Sequence, residues 1–311
     1  MAAEYAPFGG WSKNLKLSND SVELVITLEV GPRIISFRPL NGRNIFKVVA
    51  AQSGKSNEPD WKIRGGHRLW TAPEDFDRIT DGRSLTYVID NSSVEHQIEG
   101  EYRARVSHEM HHPEKIYREM VVTLETSGPK VTVEHNITNR GDTPLEFAPW
   151  ALTVMAENGY AIIPRPPLGT HPENFSPNQL IVLWPFTDLS DGRLRFGRRV
   201  TKLSQADRPA LKFGLRHAAG WVGYALGDEL FLKTIPLIEG AAYPDMGSNL
   251  QTFTNHEILE LESLGPIKKV GPGETVNHVE SWAVFSGVEL PDMEHEENLL
   301  RALETYVRRL L

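Results

Sequence analysis

The stretch Val22-Glu23-Leu24-Val25-Ile26-Thr27-Leu28-Glu29-Val30 places an apolar side chain at every even position. Period two with β-branched residues marks a strand that buries one face. Gly31-Pro32 interrupts it, Arg33-Ile34-Ile35-Ser36-Phe37-Arg38 resumes an extended run, and a turn at Asn41-Gly42 leads into Asn44-Ile45-Phe46-Lys47-Val48. Short strands punctuated by Gly, Pro and Asn read as a meander. The same pattern predicts strands near 85–90, 94–99, 102–108, 115–125, 130–138, 145–155, 211–216, 221–226, 230–235, 251–254, 257–263 and 275–285. Turn chemistry separates them, as at Ser127-Gly128-Pro129 and Gly271-Pro272-Gly273. No unit of roughly 33 to 45 residues repeats, so a propeller or solenoid is not indicated. The expected fold class is all-β, a large sandwich of two antiparallel sheets, with a single domain over 1–311. One amphipathic helix is expected at about 292–311. Asp292 caps it, Leu299, Leu300, Leu303, Tyr306, Val307 and Leu310 form its apolar stripe, and Arg308 and Arg309 complement its dipole.

Working outward to the whole chain, 33 Lys and Arg against 41 Asp and Glu over 311 residues leave a net charge of −8. That balance argues against a nucleic-acid or anionic-membrane partner, which calls for surplus cations. At 40% hydrophobic and 24% charged the chain can bury a core, which excludes extended disorder. There is no cysteine, which removes disulfides, thiolate nucleophiles, iron–sulfur clusters and Cys-type zinc sites. The start, Met-Ala-Ala-Glu-Tyr-Ala-Pro-Phe-Gly-Gly, has neither the cationic nor the apolar region of a secretory signal, and no apolar run approaches the ~20 residues of a membrane span. A cytoplasmic location is expected.

Four constellations carry potential chemistry. In Glu257-Ile258-Leu259-Glu260-Leu261-Glu262-Ser263-Leu264-Gly265-Pro266, alternation sets Leu259 and Leu261 on one face and Glu260 and Glu262 on the other. Carboxylates about 6.6 Å apart along a strand repel, which raises one pKa and suits a general acid or base. The bland alternative is the solvated face of an edge strand. If the run pairs with 275–285 as a hairpin, His278, Glu280 and Trp282 share a surface with the acids. The second constellation is Arg64-Gly65-Gly66-His67-Arg68-Leu69-Trp70-Thr71-Ala72-Pro73-Glu74. Gly-Gly permits close backbone approach to a ligand, His67 titrates near neutrality, and Arg68, Trp70 and Glu74 add a planar cation, a flat ring and a carboxylate. This is the palette of a carbohydrate site, though a generic loop can look alike. The third, His108-Glu109-Met110-His111-His112-Pro113, would bind metal only on a helix. In a strand i and i+4 lie about 13 Å apart, too far to share an ion. The fourth, Ala241 to Gln251, holds Asp245 and Asn249, whose donors and acceptors match vicinal sugar hydroxyls or serve turn chemistry alone. Pro149-Trp150 and Trp184-Pro185-Phe186 are stacking or core aromatics. Phosphate-binding Gly-rich loops, Gly-x-Ser-x-Gly and His-Glu-x-x-His are missing.

Three blocks give the chain a likeness: Glu29-Val30-Gly31-Pro32-Arg33-Ile34-Ile35-Ser36-Phe37 with Gly42-Arg43-Asn44; Asn136-Ile137-Thr138-Asn139 with Thr143-Pro144-Leu145; and Leu261-Glu262-Ser263-Leu264-Gly265-Pro266 with Pro272-Gly273-Glu274. In order and spacing they resemble the galactose mutarotase-like (aldose 1-epimerase) superfamily, most of all its DUF4380 group. The resemblance implies a β-supersandwich with a sugar site and no metal or organic cofactor. It puts Glu262 where mutarotases hold the glutamate that takes the anomeric proton, and His67 where their first histidine stands. Trp150 falls at or near the second histidine's place, and an indole cannot supply that proton. The expectation is a carbohydrate-binding protein working as a sugar 1-epimerase. Glu262 is the base and His67 the acid, while Arg68, Trp70, Glu74, Trp150, Asp245, Asn249 and Glu260 hold a small-molecule sugar. Two alternatives stay open: a non-catalytic sugar-binding or sensing module, and a glycoside hydrolase or lyase using paired carboxylates.

Overall fold

Alternation decides which side of each sheet a residue occupies, and the computed structural model shows this over residues 3–74, 85–110, 112 and 114–311. Val22–Thr27 turns Val22, Leu24 and Ile26 into the core and pairs with Trp11–Ser18 and Arg33–Pro39. The predicted continuation through Leu28 and Val30 bends away instead. The chain turns at Gly31, whose φ of +122° only glycine adopts without strain. The strands assemble into sheets of eleven and ten. The first sheet runs through its middle in the order Arg33–Pro39, Gly66–Ala72, Leu145–Val154, Leu259–Leu264, Leu250–Thr254, Leu211–Leu215. The second runs Trp221–Leu226, Glu229–Thr234, Thr275–Phe285, Lys130–Asn139, Ile116–Leu124. These ladders are antiparallel, as expected. The main core lies between the sheets, where Phe37, Phe46, Phe231 and Trp282 meet with ring centroids 5.6–6.2 Å apart.

Several expectations change. Leu259–Leu264 and Thr275–Phe285 form no hairpin. The first pairs with Leu145–Val154 and Leu250–Thr254, the second with Glu229–Thr234 and Lys130–Asn139, in opposite sheets. The predicted strand at 44–48 shrinks to two isolated bridges, Phe46 to Met155 and Val48 to Gly65. Residues 85–90 form no strand, because side chains rather than a ladder hold them: Arg118 donates to the Leu85 carbonyl and Arg33 to Asp90. Gly66–Ala72, not among the predicted strands, is a central strand. Strands at Trp11–Ser18, Tyr160–Pro164 and Val200–Ser204 were not predicted. Gly65 and Gly66 approach backbone rather than a ligand. A Cβ on Gly65 would stand 2.0 Å from the Lys47 carbonyl oxygen and one on Gly66 2.3 Å from that of Ile34. The helix spans Glu296–Leu310 and buries Leu299, Leu303 and Leu310 against the outer face of the second sheet. Its N-cap is His295; Asp292 instead accepts from the Glu294 N–H one turn earlier.

A polar seam crosses the core. Lys233 Nζ meets Glu280 at 2.8 Å and donates to Thr153 Oγ1 at 3.1 Å and the Leu261 carbonyl at 3.3 Å. The Thr153 hydroxyl meets His67 Nδ1 at 2.9 Å, and His67 Nε2 meets His135 Nε2 at 2.7 Å. His135 Nδ1 lies 2.9 Å from the His278 carbonyl, which can only accept, so the order of donors along this chain is fixed. Trp282 Nε1 donates to Glu280 at 2.7 Å, and Ser263 joins Glu280 to His278. Burial pushes the imidazoles of His67 and His135 below their ordinary value and takes His278 down to about 3. Burial alone would raise the Glu280 carboxyl, but it is lowered instead, chiefly by the Lys233 ammonium at 2.8 Å.

The native state therefore keeps these histidines neutral while the unfolded chain protonates them from about pH 6.5 downward. Stability falls as pH falls through that range, because unfolding then takes up protons that the buried histidines refuse. Urea midpoints at pH 7.5, 6 and 5 measure this slope, and His278→Gln makes it shallower. Gly66→Ala, at φ +68° with no room for a Cβ, lowers stability by about 1–3 kcal/mol in the same assay.

Candidate functional site

Period two on Gly66–Ala72 sends His67 and Leu69 into the molecule and Arg68 and Trp70 out of it. On the neighbouring strands Trp150 and Leu152, then Glu260 and Glu262, point to the same outer face. There they floor a cavity of about 410 Å³. Its size lies within the roughly 300–1,000 Å³ usual for small-molecule sites. Lys212, outward between the inward Leu211 and Phe213, closes one side with Trp184 and Phe186. Trp61 and Tyr87 close the other.

Buried arginines build that second wall. Arg64 donates to the carbonyls of Gln52 and Lys55 at 2.9 and 3.0 Å, to Glu58 at 2.6 Å and to Asn91 at 2.9 Å. Arg33 donates to the Ile63 and Gly65 carbonyls at 3.0 and 2.7 Å and to Asp90 at 3.1 Å. Together they fasten 50–65 and 85–91 over the sheet, where Tyr87 meets Trp61 and Trp70 edge to face at 5.2 and 4.8 Å and the two indoles lie tilted at 5.0 Å.

The charged groups fall into three sets. Arg68 donates to Glu260 at 2.7 Å and lies 4.2 Å above the Trp70 ring, so this pair is neutral and stacked. Glu74 accepts from the Tyr87 hydroxyl at 2.6 Å and meets Lys212 at 3.5 Å. Glu262, 1% exposed, accepts from Trp150 Nε1 at 2.9 Å through Oε2 while Oε1 has no partner among the described residues. Burial raises its carboxyl to about 7, with the Lys212 charge pulling the other way and Glu260 adding to the rise. Near neutrality Glu262 is thus divided between acid and base, the condition for moving a proton.

Of the residues singled out in the sequence, Arg68, Trp70, Glu74, Trp150, Glu260 and Glu262 share this cavity. His67 does not. It sits in the polar seam on the opposite face of its strand, bonded to His135. Asp245 and Asn249 do not line the cavity either. Asp245 accepts from Gln251 Nε2 at 2.6 Å, and Asn249 ties His217 to the Pro236 carbonyl, so both serve loop structure. Of the run 108–113, His111 and Pro113 lie outside the described residues. His108 is in a strand with Nε2 2.8 Å from the Ser92 hydroxyl, and His112 follows in the turn. Trp61, Tyr87 and Lys212 were missed. For Lys212 the signal was present, a lone cation inside an apolar strand. His67, His135 and Glu280 offer ligating atoms within 4.8 Å of one another, the spacing of a metal trio. Those atoms are already paired with one another, Lys233, Ser263 and Trp282, and the ammonium supplies the charge a metal would.

No protein-family model and no curated protein matches the chain. Solved structures do. A galactose mutarotase-like protein from Lactobacillus casei superposes with a TM-score of 0.55 at 10% identity, over 88% of this chain and 100% of that one. The chain has the galactose mutarotase-like fold. A galactose mutarotase related enzyme from Lactobacillus acidophilus gives 0.54 at 11% identity, over 89% and 98%. A TPR-domain containing protein from Parabacteroides distasonis gives 0.57 at 13% identity over 90% of this chain, which spans 48% of that longer one. Among the described residues, no helix of this mutarotase-like sandwich is long and apolar enough to cross a membrane.

Because Arg64 alone closes so many contacts, Arg64→Ala leaves several buried acceptors unpaired and costs about 2–3 kcal/mol. Hydrogen exchange speeds up across 50–63, and a red shift of tryptophan emission reports the loosened Trp61.

Proposed function

We propose that the cavity binds the ring of a sugar and that Glu262 takes the proton of its anomeric hydroxyl, making the protein a sugar 1-epimerase. The observation that carries the reading is the buried carboxylate oxygen of Glu262, without a partner among the described residues, at the floor of an aromatic-walled cavity. An unmade hydrogen bond in such a place is costly unless a ligand completes it. Flat rings such as Trp61 and Tyr87 suit the C–H faces of a pyranose, and Glu74 and Glu260 can accept from its hydroxyls. The neighbours described as galactose mutarotase-like support the same chemistry. The nearer likeness to the DUF4380 group rests on the three sequence blocks alone. In this reading Glu262 deprotonates O1, the bond between C1 and the ring oxygen opens, and reclosure on the other face returns the proton.

A second reading, sugar binding without turnover, has one observation in its favour: no histidine is among the described residues that line the cavity. Exchange NMR on a panel of aldoses, sugar phosphates and uronates separates the two. Epimerase action gives faster anomer exchange, reduced roughly 10²- to 10⁴-fold in Glu262→Gln. Line broadening without faster exchange establishes the binding module. Cleavage of an oligosaccharide with no anomer exchange points to hydrolysis. Because only the ionised carboxylate accepts the proton, the rate rises with pH through an inflection near 7, set by burial of Glu262. Trp150→Phe deletes a hydrogen bond that favours the ionised form and moves that inflection upward.

A further inference from the structure

Epimerisation through ring opening needs a second group. As C1–O cleavage places charge on the ring oxygen, some donor must protonate it, and no imidazole does so here. We propose that Lys212 is that donor, an inference that rests on the epimerase reading and names its missing acid. Lys212 is 4% exposed. Its ammonium lies 4.6 Å from the Trp150 ring centre and 4.7 Å from that of Trp184. Its one polar partner among the described residues is Glu74 Oε2 at 3.5 Å, long for a charge-assisted bond. Three N–H donors at a buried position are thus served, among the described residues, by a stretched ion pair and two π faces, which leaves capacity to donate to a ligand.

Its position relative to Glu262 strengthens the case. The two residues stand on strands separated by one other, Leu250–Thr254; Lys212 is in register with Glu260, and Glu262 lies two residues along, so their backbones are roughly 12 Å apart. Both side chains reach the same indole: Trp150 donates its edge N–H to Glu262 and turns its face to Lys212. Yet ammonium and carboxylate do not come within 4 Å of one another, although nothing else satisfies Glu262 Oε1. A donor short of acceptors and an acceptor short of donors face a common space. A sugar with O1 on Glu262 and its ring oxygen on Lys212 would satisfy both. The protons balance. Glu262 gains one from O1 as Lys212 gives one to the ring oxygen, and reclosure reverses both transfers, so neither cofactor nor net acid is consumed. Other charged or titratable groups facing Lys212 are Glu74, Glu260, Arg68 and Tyr87.

The test compares wild type, Lys212→Met and Lys212→Arg by anomer-exchange NMR, with sugar affinity measured by titration and folding by thermal melts. Both variants are expected to lose roughly 10²- to 10⁴-fold in exchange rate while affinity changes only a few-fold. Lys212→Arg keeps the charge over the two indoles but is too weak an acid to give up a proton, so a structural or purely electrostatic role predicts that it retains the rate. Exchange in folded Lys212→Arg within about 3-fold of wild type overturns the proposal and leaves the epimerase reading standing. Wild type inert on every sugar in the panel overturns both. If Lys212→Met does not fold, Lys212→Arg decides alone.

Discussion

The floor of the cavity follows from the two-residue repeat of the extended chain where it crosses the middle of the first sheet. On three adjacent strands, alternate residues are committed to opposite environments that cannot be exchanged without shifting a whole register. One side receives His67, Thr153 and Ser263, which join the seam between the sheets. The other receives Arg68, Trp70, Trp150, Glu260 and Glu262. The seam is costly in desolvation, and its neutral histidines and the Lys233–Glu280 pair tolerate burial only because nearly every donor meets an acceptor. Such a network suits the holding of two sheets in one register, since any slip would strand several charges at once.

The sequence showed much of this and misplaced some of it. Strand periodicity located the long strands at 130–138 and 275–285 because buried and exposed residues alternate along the whole of the first and the first half of the second. It failed at Gly66–Ala72, which is buried on both faces and carries His, Arg, Trp and Thr where a core strand would be expected to carry aliphatics. The acids were legible as a pair on one face, and that assignment is local. Which strand lies opposite is not local, and the assumed hairpin with 275–285 put His278 and Glu280 on the wrong surface. His67 went astray for a related reason. Adjacent in sequence to Arg68, it is separated from it in space by the thickness of the sheet.

The walls of the cavity were harder to read because arginines, not hydrophobic patterning, determine them. Arg33 and Arg64 are buried cations whose bonds run mainly to backbone carbonyls of irregular segments, and carbonyls leave no mark in a sequence. A loop held in this way belongs to the same ordered body as the sheet. A ligand in this cavity would therefore find Trp61 already positioned, with little ordering entropy to oppose binding.

Trp150 touches both of the groups given a proton-transfer role, one by its edge and one by its face. The consequence concerns how mutants of this site would have to be interpreted. Losses at positions 150, 212 and 262 belong to one interacting set and will not sum, since removing the indole frees a carboxylate and unseats an ammonium together. Energies assigned to any of the three in isolation would count the same interaction twice, and only cycles built from pairs of substitutions apportion it.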